Sequence, residues 1–190
     1  MKIKILIFIS LILATILGLY FFLPYKQKQN EIAQYSFTMD SINGKVSLSD
    51  YDGKYKLIYF GYMYCPDICP TSLSVLASAL KMLPKEQADK FQVIFISVDP
   101  DRDKLKELKE YANYFYKGAI GITSNKKYLK TITSNYGTYY TKEYLKDSKM
   151  NYSVAHTSFV YLMDKDGILL DKVSHLEKTS DILNIIKTLK

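Results

Sequence analysis

The longest apolar run lies at the start of the chain. Ile5 to Leu23 carries no charge and consists almost wholly of Leu, Ile, Phe and small residues. Its about 19 residues match the roughly 20 that cross a bilayer as a helix. Lys2 and Lys4 precede it, and Tyr20, Phe21, Phe22 and Tyr25 stand at its far end, where aromatic side chains favour the membrane interface. No small-residue cleavage site follows Leu23, because Pro24, Tyr25 and Lys26 come next. The pattern predicts an uncleaved anchor over 1–24, a polar tether over 25–34 (YKQKQNEIAQ) and a globular domain over 35–190. A first helix with a short basic start leaves its N-terminus in the cytoplasm. The globular part is then expected on the outer, periplasmic side of an inner membrane.

Beyond the tether the periodicity alternates between strand and helix. Tyr35–Met39 and Lys45–Leu48 flank an Asn43-Gly44 pair, which predicts a hairpin. Lys56–Tyr62 and Phe91–Val98 are short continuous apolar runs, read as buried strands. Between them Leu73, Leu76, Ala77, Leu80 and Leu83 share one helical face over 71–83, stopped by Pro84. Residues 103–116 read as an amphipathic helix capped by the acidic start DPDRD, and 126–136 as a further helix. Ser158–Met163 and Ile168–Val173 flank Asp164-Lys165-Asp166-Gly167 as a second hairpin, and 179–189 closes the chain as a helix. Strand, helix, strand, then a hairpin and a last helix is the plan of an α/β thioredoxin-like fold. The N-terminal β-hairpin and one helical insertion are additions to it, and one transmembrane helix precedes it.

Composition narrows the function classes. Hydrophobic residues are 48% and charged residues 24%, which fits a packed domain and not a disordered chain. The net charge is +7, from 26 basic and 19 acidic residues. Those charges are interleaved, as on ordinary solvated faces, and Arg102 is the single arginine. Arginine is the residue that forks onto phosphate and guanine, so nucleic acid is not expected as a partner. There is no P-loop, no dinucleotide fingerprint, no H-E-x-x-H and no peroxiredoxin-type P-x3-T-x2-C around Cys65.

The chain has two cysteines, in Cys65-Pro66-Asp67-Ile68-Cys69-Pro70, at the junction of a predicted strand and a predicted helix. A helix start exposes N–H groups and positive potential, which favours thiolate over thiol. A thiolate is both a nucleophile and a metal ligand, and the flanking prolines restrict the backbone around the pair. A stapling disulfide across so short a loop would contribute only about 2 kcal/mol of chain entropy. The pair therefore reads as functional, redox-active or metal-binding. Asp67 lies between the two sulfurs in sequence. Its charge opposes thiolate formation but is favourable beside a bound cation; an ordinary helix cap is the other reading.

FGYMYCPDICPTSL resembles the signature of the Sco (SenC) family of membrane-anchored copper chaperones for cytochrome c oxidase. Val98-Asp99-Pro100-Asp101-Arg102-Asp103 and Val154-Ala155-His156-Thr157 are similar to further family segments in the same order. The resemblance covers nearly the whole chain. It implies one copper ion, Cu(I) or Cu(II), held by Cys65, Cys69 and His156. Soft thiolates suit Cu(I), and imidazole suits either state. It also implies an assembly factor that delivers copper to the dinuclear site of cytochrome c oxidase subunit II, fed by an upstream copper donor or thiol reductant. A thiol-disulfide reductase that keeps the cysteines of that site reduced is the alternative; it needs only the cysteine pair. A pure membrane scaffold or redox sensor has no residue in its favour. Many family members carry Asp where this chain has Ala155, a departure that bears on affinity or docking. His156 is expected in the loop before the 158–163 strand. His175 reads as a surface residue and Met63 as strand-end packing. Asp99 and Asp103 read as a loop carboxylate and a helix cap, or as a shell around the metal or a docking patch.

Overall fold

The computed structural model describes residues 2–146, Ser148, residues 150–174 and residues 178–189. The side chains of Lys2, Ile3, Ile5, Leu6, Ile9, Ser10 and Asp181 lie outside that description. The chain divides into two compact units, Met1–Gln34 and Tyr35–Lys190.

Helix α1 spans Lys2–Tyr35 and includes Pro24. It runs on through 25–34, the stretch expected as a polar tether. Gln, Lys, Glu and Ala there are good helix formers, and no Gly interrupts them. Among the described residues, no helix is long and apolar enough to cross a membrane. Four side chains of the expected 5–23 span lie outside the described residues. Those described within it, such as Phe8, Leu13 and Leu17, are exposed.

The second unit opens with a hairpin of β1 (Thr38–Ser41) and β2 (Gly44–Ser47). Ser41 pairs with Gly44, so Ile42 and Asn43 form the turn, one position earlier than the Asn-Gly pair suggests. Strands β3 (Tyr55–Gly61) and β4 (Phe91–Ser97) run parallel through seven register pairs and are buried along their whole length. Burial on both faces explains the apolar runs over 57–60 and 93–96, and Lys56 and Gln92 are buried beside them. A short parallel strand β5 (Ile120–Ile122) pairs with β4. The sequence pattern does not mark it, because it has three residues with Gly121 at its centre. A two-stranded ribbon, β6 (Tyr140–Tyr144) and β7 (Tyr152–His156), was likewise not predicted. Strands β8 (Phe159–Met163) and β9 (Leu169–Ser174) complete the main sheet, whose order is β5-β4-β3-β8-β9 with β8 antiparallel to both neighbours.

Helix α2 (Ile68–Lys81) follows β3, and α3 (Lys85–Ala88) is a single turn. Helix α4 (Leu105–Phe115) follows β4, α5 (Lys126–Tyr136) follows β5, and α6 (Thr179–Lys187) closes the domain. Alternate residues of β3 supply opposite faces of the sheet. Tyr59 stacks on Phe95, which meets Tyr111 of α4 on one face. Phe60 and Tyr161 meet Tyr136 of α5 on the other. The arrangement is the thioredoxin-like α/β plan, with the N-terminal hairpin and the α5 insertion where the sequence places them.

One expectation is corrected. Helix α4 begins at Leu105 with Lys104 as its N-cap, and no side-chain cap is formed. Asp103 is buried and turned inward. Its Oδ2 accepts from the Ser97 hydroxyl at 2.6 Å and from the Met63 N–H at 3.0 Å. Burial pushes its carboxyl up in pKa, against the pull of those two donors.

Candidate metal centre

The cysteine loop leaves the end of β3 and enters α2 within six residues. Cys65 N–H donates to the Tyr62 carbonyl at 3.3 Å, which turns the chain, and Asp67 is the N-cap of α2. Ile68, Cys69 and Pro70 form the first turn. Proline is tolerated there because the first N–H groups of a helix have no intrahelical acceptor. The free Cys69 N–H instead donates to Cys65 Sγ at 3.4 Å. Cys69 is buried and Cys65 is half-buried, and both are free thiols.

His156 approaches from the last position of β7, not from the loop the sequence suggested. Its Nε2 stands 3.2 Å from Cys69 Sγ, and its Nδ1 is 3.2 Å from the Thr157 carbonyl. When a metal is bound, a proton on Nδ1 donated to that carbonyl would leave the Nε2 lone pair for the ion; without metal, Nε2 can instead carry a proton toward the sulfurs. The rings of Tyr59 and Tyr62 stand edge-on to the imidazole, with centroids 6.2 and 5.9 Å away. Donor atoms of Cys65, Cys69 and His156 all lie within 4.8 Å of one another. Two soft sulfurs and an imidazole form a donor set that fits a soft transition-metal ion. The partial exposure of Cys65 and His156 gives such an ion a way in and out.

The two thiols are electrostatically unlike. A hydrogen bond from the Cys69 thiol holds Cys65 well below the ordinary thiol range; burial opposes this, and His156 and the Cys69 and Asp67 N–H groups add to it. Cys69 is pushed up, first by that same hydrogen bond to Cys65, then by burial and the neighbouring charge. The two shifts run in opposite directions, so in the metal-free pair the inner sulfur is the one that favours the proton and the outer sulfur the one that favours the charge. That is a nucleophile at the surface with a second thiol behind it.

The remaining candidates fall around this centre. The Asp67 carboxylate is exposed, accepts from the Thr71 hydroxyl at 3.4 Å and is outside the donor group. Met63 is half-buried against the core. Asp99 is buried and bound to Arg102, with Nε to Oδ2 at 2.5 Å. His175 lies outside the described residues.

Residues 25–190 match the sequence profile of the SCO1/SenC family. The chain belongs to the SCO1/SenC family. It is 36% identical over 178 residues to the SCO2-like protein of Rickettsia conorii, covering 87% of this chain and 86% of that protein. Among solved structures, Bradyrhizobium japonicum ScoI with copper bound is 33% identical with a TM-score of 0.71, covering 82% of this chain and 98% of that one. Yeast Sco1 with copper bound is 30% identical with a TM-score of 0.72, covering 81% and 86%. In this SCO1/SenC chain the departure at Ala155 is an exposed position on β7 paired with Thr141. The imidazole takes its Nδ1 partner from the Thr157 backbone, so its orientation does not depend on an acidic neighbour at position 155.

Proposed function

We propose that this SCO1/SenC chain binds one copper ion through Cys65, Cys69 and His156 and delivers it to the dinuclear copper site of cytochrome c oxidase subunit II. The convergence of those three donors from two separate elements carries the reading. The copper-bound relatives and the partial exposure of the site support it. Transfer by ligand exchange needs a site of low coordination that an incoming ligand can reach, and three donors at a domain surface provide one. The apolar run over 5–23 acts as a single-pass anchor in the inner membrane, with the globular domain on the outer side; the uncharged sequence and its basic start support this. An upstream copper donor loads the site, and a thiol reductant restores the pair whenever it oxidises to a disulfide.

The lowered pKa of Cys65 favours a second reading, thiol-disulfide reduction. Cys65 sulfur attacks a target disulfide and releases one target thiolate. Cys69 sulfur then attacks the mixed disulfide and releases the other, so the pair is oxidised as the target gains two electrons. An external thiol reductant must then restore it. The two readings diverge at His156. The copper-loaded full chain is mixed with the metal-free copper domain of subunit II whose own cysteines are already reduced, and copper is followed by its absorption spectrum. Transfer that is lost in His156→Ala is expected. Transfer absent from the wild type, alongside reduction of the oxidised domain that is indifferent to His156→Ala, would leave only the reductase.

A further inference from the structure

The segment Val98–Asp103 joins the two halves of the metal centre. On one side it holds the root of the cysteine loop. Met63 N–H donates to Asp103, and the Arg102 guanidinium carbon lies 5.0 Å from the ring centroid of Tyr64 and 5.7 Å from that of Tyr62. On the other side it holds the ribbon that ends in His156. Arg102 Nη1 donates to the Tyr152 carbonyl at 2.8 Å and the Met150 carbonyl at 3.2 Å, and its guanidinium carbon sits 3.7 Å from the Tyr152 ring centroid. Buried Asp99 closes the ring of contacts, accepting from Arg102 through Oδ2 and from the Tyr152 hydroxyl through Oδ1 at 2.8 Å.

The ribbon β6–β7 forms its own two-stranded sheet, separate from the five-stranded one. A two-stranded hairpin has little stability of its own. Its base is tied by Thr157 N–H to the Tyr139 carbonyl, and Val154 is its one buried side chain. Toward the far end Arg102 holds Met150 and Tyr152, while Lys142 of β6 adds an ion pair to Asp101 at 2.7 Å. His156 closes β7 at the base, paired with Tyr140, so the course of β7 fixed at Met150 and Tyr152 sets the direction in which its imidazole leaves the backbone. A planar guanidinium with several fixed donors can grip a carboxylate, a carbonyl and a ring face together; a lysine ammonium cannot.

We propose that Arg102, buttressed by Asp99, is a positioning residue that clasps the β6–β7 ribbon to the cysteine loop and so brings His156 to Cys69. The inference rests on the copper-site reading above and deepens it. Arg102→Met and Arg102→Lys in the full chain are compared with the wild type and His156→Ala. In Arg102→Met, copper(I) affinity is expected to fall about 10- to 100-fold, the usual cost of losing a partner that orients a ligand. X-ray absorption should show both sulfur donors kept and the nitrogen lost. Arg102→Lys should not rescue it, and adding His156→Ala to Arg102→Met should cost nothing further. In the metal-free protein, amides 152–157 should exchange faster while β4 stays protected. A retained nitrogen donor with unchanged affinity, additive losses in the double variant, or unchanged amide protection over 152–157 would each overturn the clasp. If the wild type takes up no copper, the copper reading fails and amide exchange still decides the clasp. Should Arg102→Met not fold, Tyr152→Phe removes only the hydroxyl bound to Asp99, and a smaller shift in the same direction is expected.

Discussion

Replacing Cys69 with alanine is expected to abolish stoichiometric copper binding while leaving the fold intact. Cys69 is fully buried, so no water can take the place of its sulfur as a donor. It also sits between the other two donor residues: its Sγ faces His156 Nε2 at 3.2 Å and its N–H donates to Cys65 Sγ. Its removal leaves one half-exposed thiol and one imidazole, a poor set for Cu(I). The affinity loss should exceed the roughly 10- to 100-fold typical of changes one shell out. Deleting a single buried sulfur costs about 1 kcal/mol, too little to unfold the domain. The variant should also change the chemistry of its partner. The Cys69 thiol is the main cause of the low Cys65 pKa, so in Cys69→Ala that pKa should rise toward the ordinary thiol value. Thiolate absorbance followed against pH, beside a copper titration, measures both. One retained equivalent of copper at near wild-type affinity would contradict the assignment.

Gly121→Ala is expected to give the largest loss of stability of any one-carbon change discussed here. A Cβ at residue 121 would lie 2.2 Å from the Leu108 carbonyl oxygen and 2.5 Å from its carbon. Those are backbone atoms of α4, so no rotamer change relieves the contact; the helix must move off the sheet. Forced overpacking of this kind costs about 3 kcal/mol. For a domain of this size that corresponds to a fall in Tm of about 6–12 °C. Thermal unfolding of the full chain by circular dichroism checks it. A Tm within about 2 °C of the wild type would show that α4 and β5 do not approach this closely.

How far the fold could be read from the sequence depended on burial. Strands β3 and β4 are buried throughout, and their runs stand out in the sequence. Helix α5 spans Lys126–Tyr136, the bounds its pattern predicts, because Asn125 caps one end and Gly137 ends the other in the left-handed conformation. The ribbon that carries His156 was not legible. Its residues are mostly half-buried or exposed, with Val154 the one buried position, so no alternation marks it. The tether hid a helix for a related reason: a polar stretch of good helix formers has no apolar face to count.

The candidate site divides the same way. The cysteine pair is local, and its strand-helix junction could be placed from neighbouring residues. His156 is 87 positions from Cys69, and only the resemblance paired them before the structure brought them to 3.2 Å. The acidic segment was misread because helix caps and buried carboxylates use the same residue types. Asp103 turns inward to Ser97 and Met63, and Arg102 reaches 50 positions along the chain to the Tyr152 carbonyl. Nothing in the local pattern distinguishes such contacts from a solvated turn.

The most direct test of the copper site is a titration of the reduced full chain in detergent with Cu(I), followed by X-ray absorption to count donors, with His156→Ala alongside. One copper per chain with two sulfurs and one nitrogen, the nitrogen absent from the variant, is the predicted result. A chain that retains no copper, or holds it identically in His156→Ala, would contradict the assignment of Cys65, Cys69 and His156 as the site.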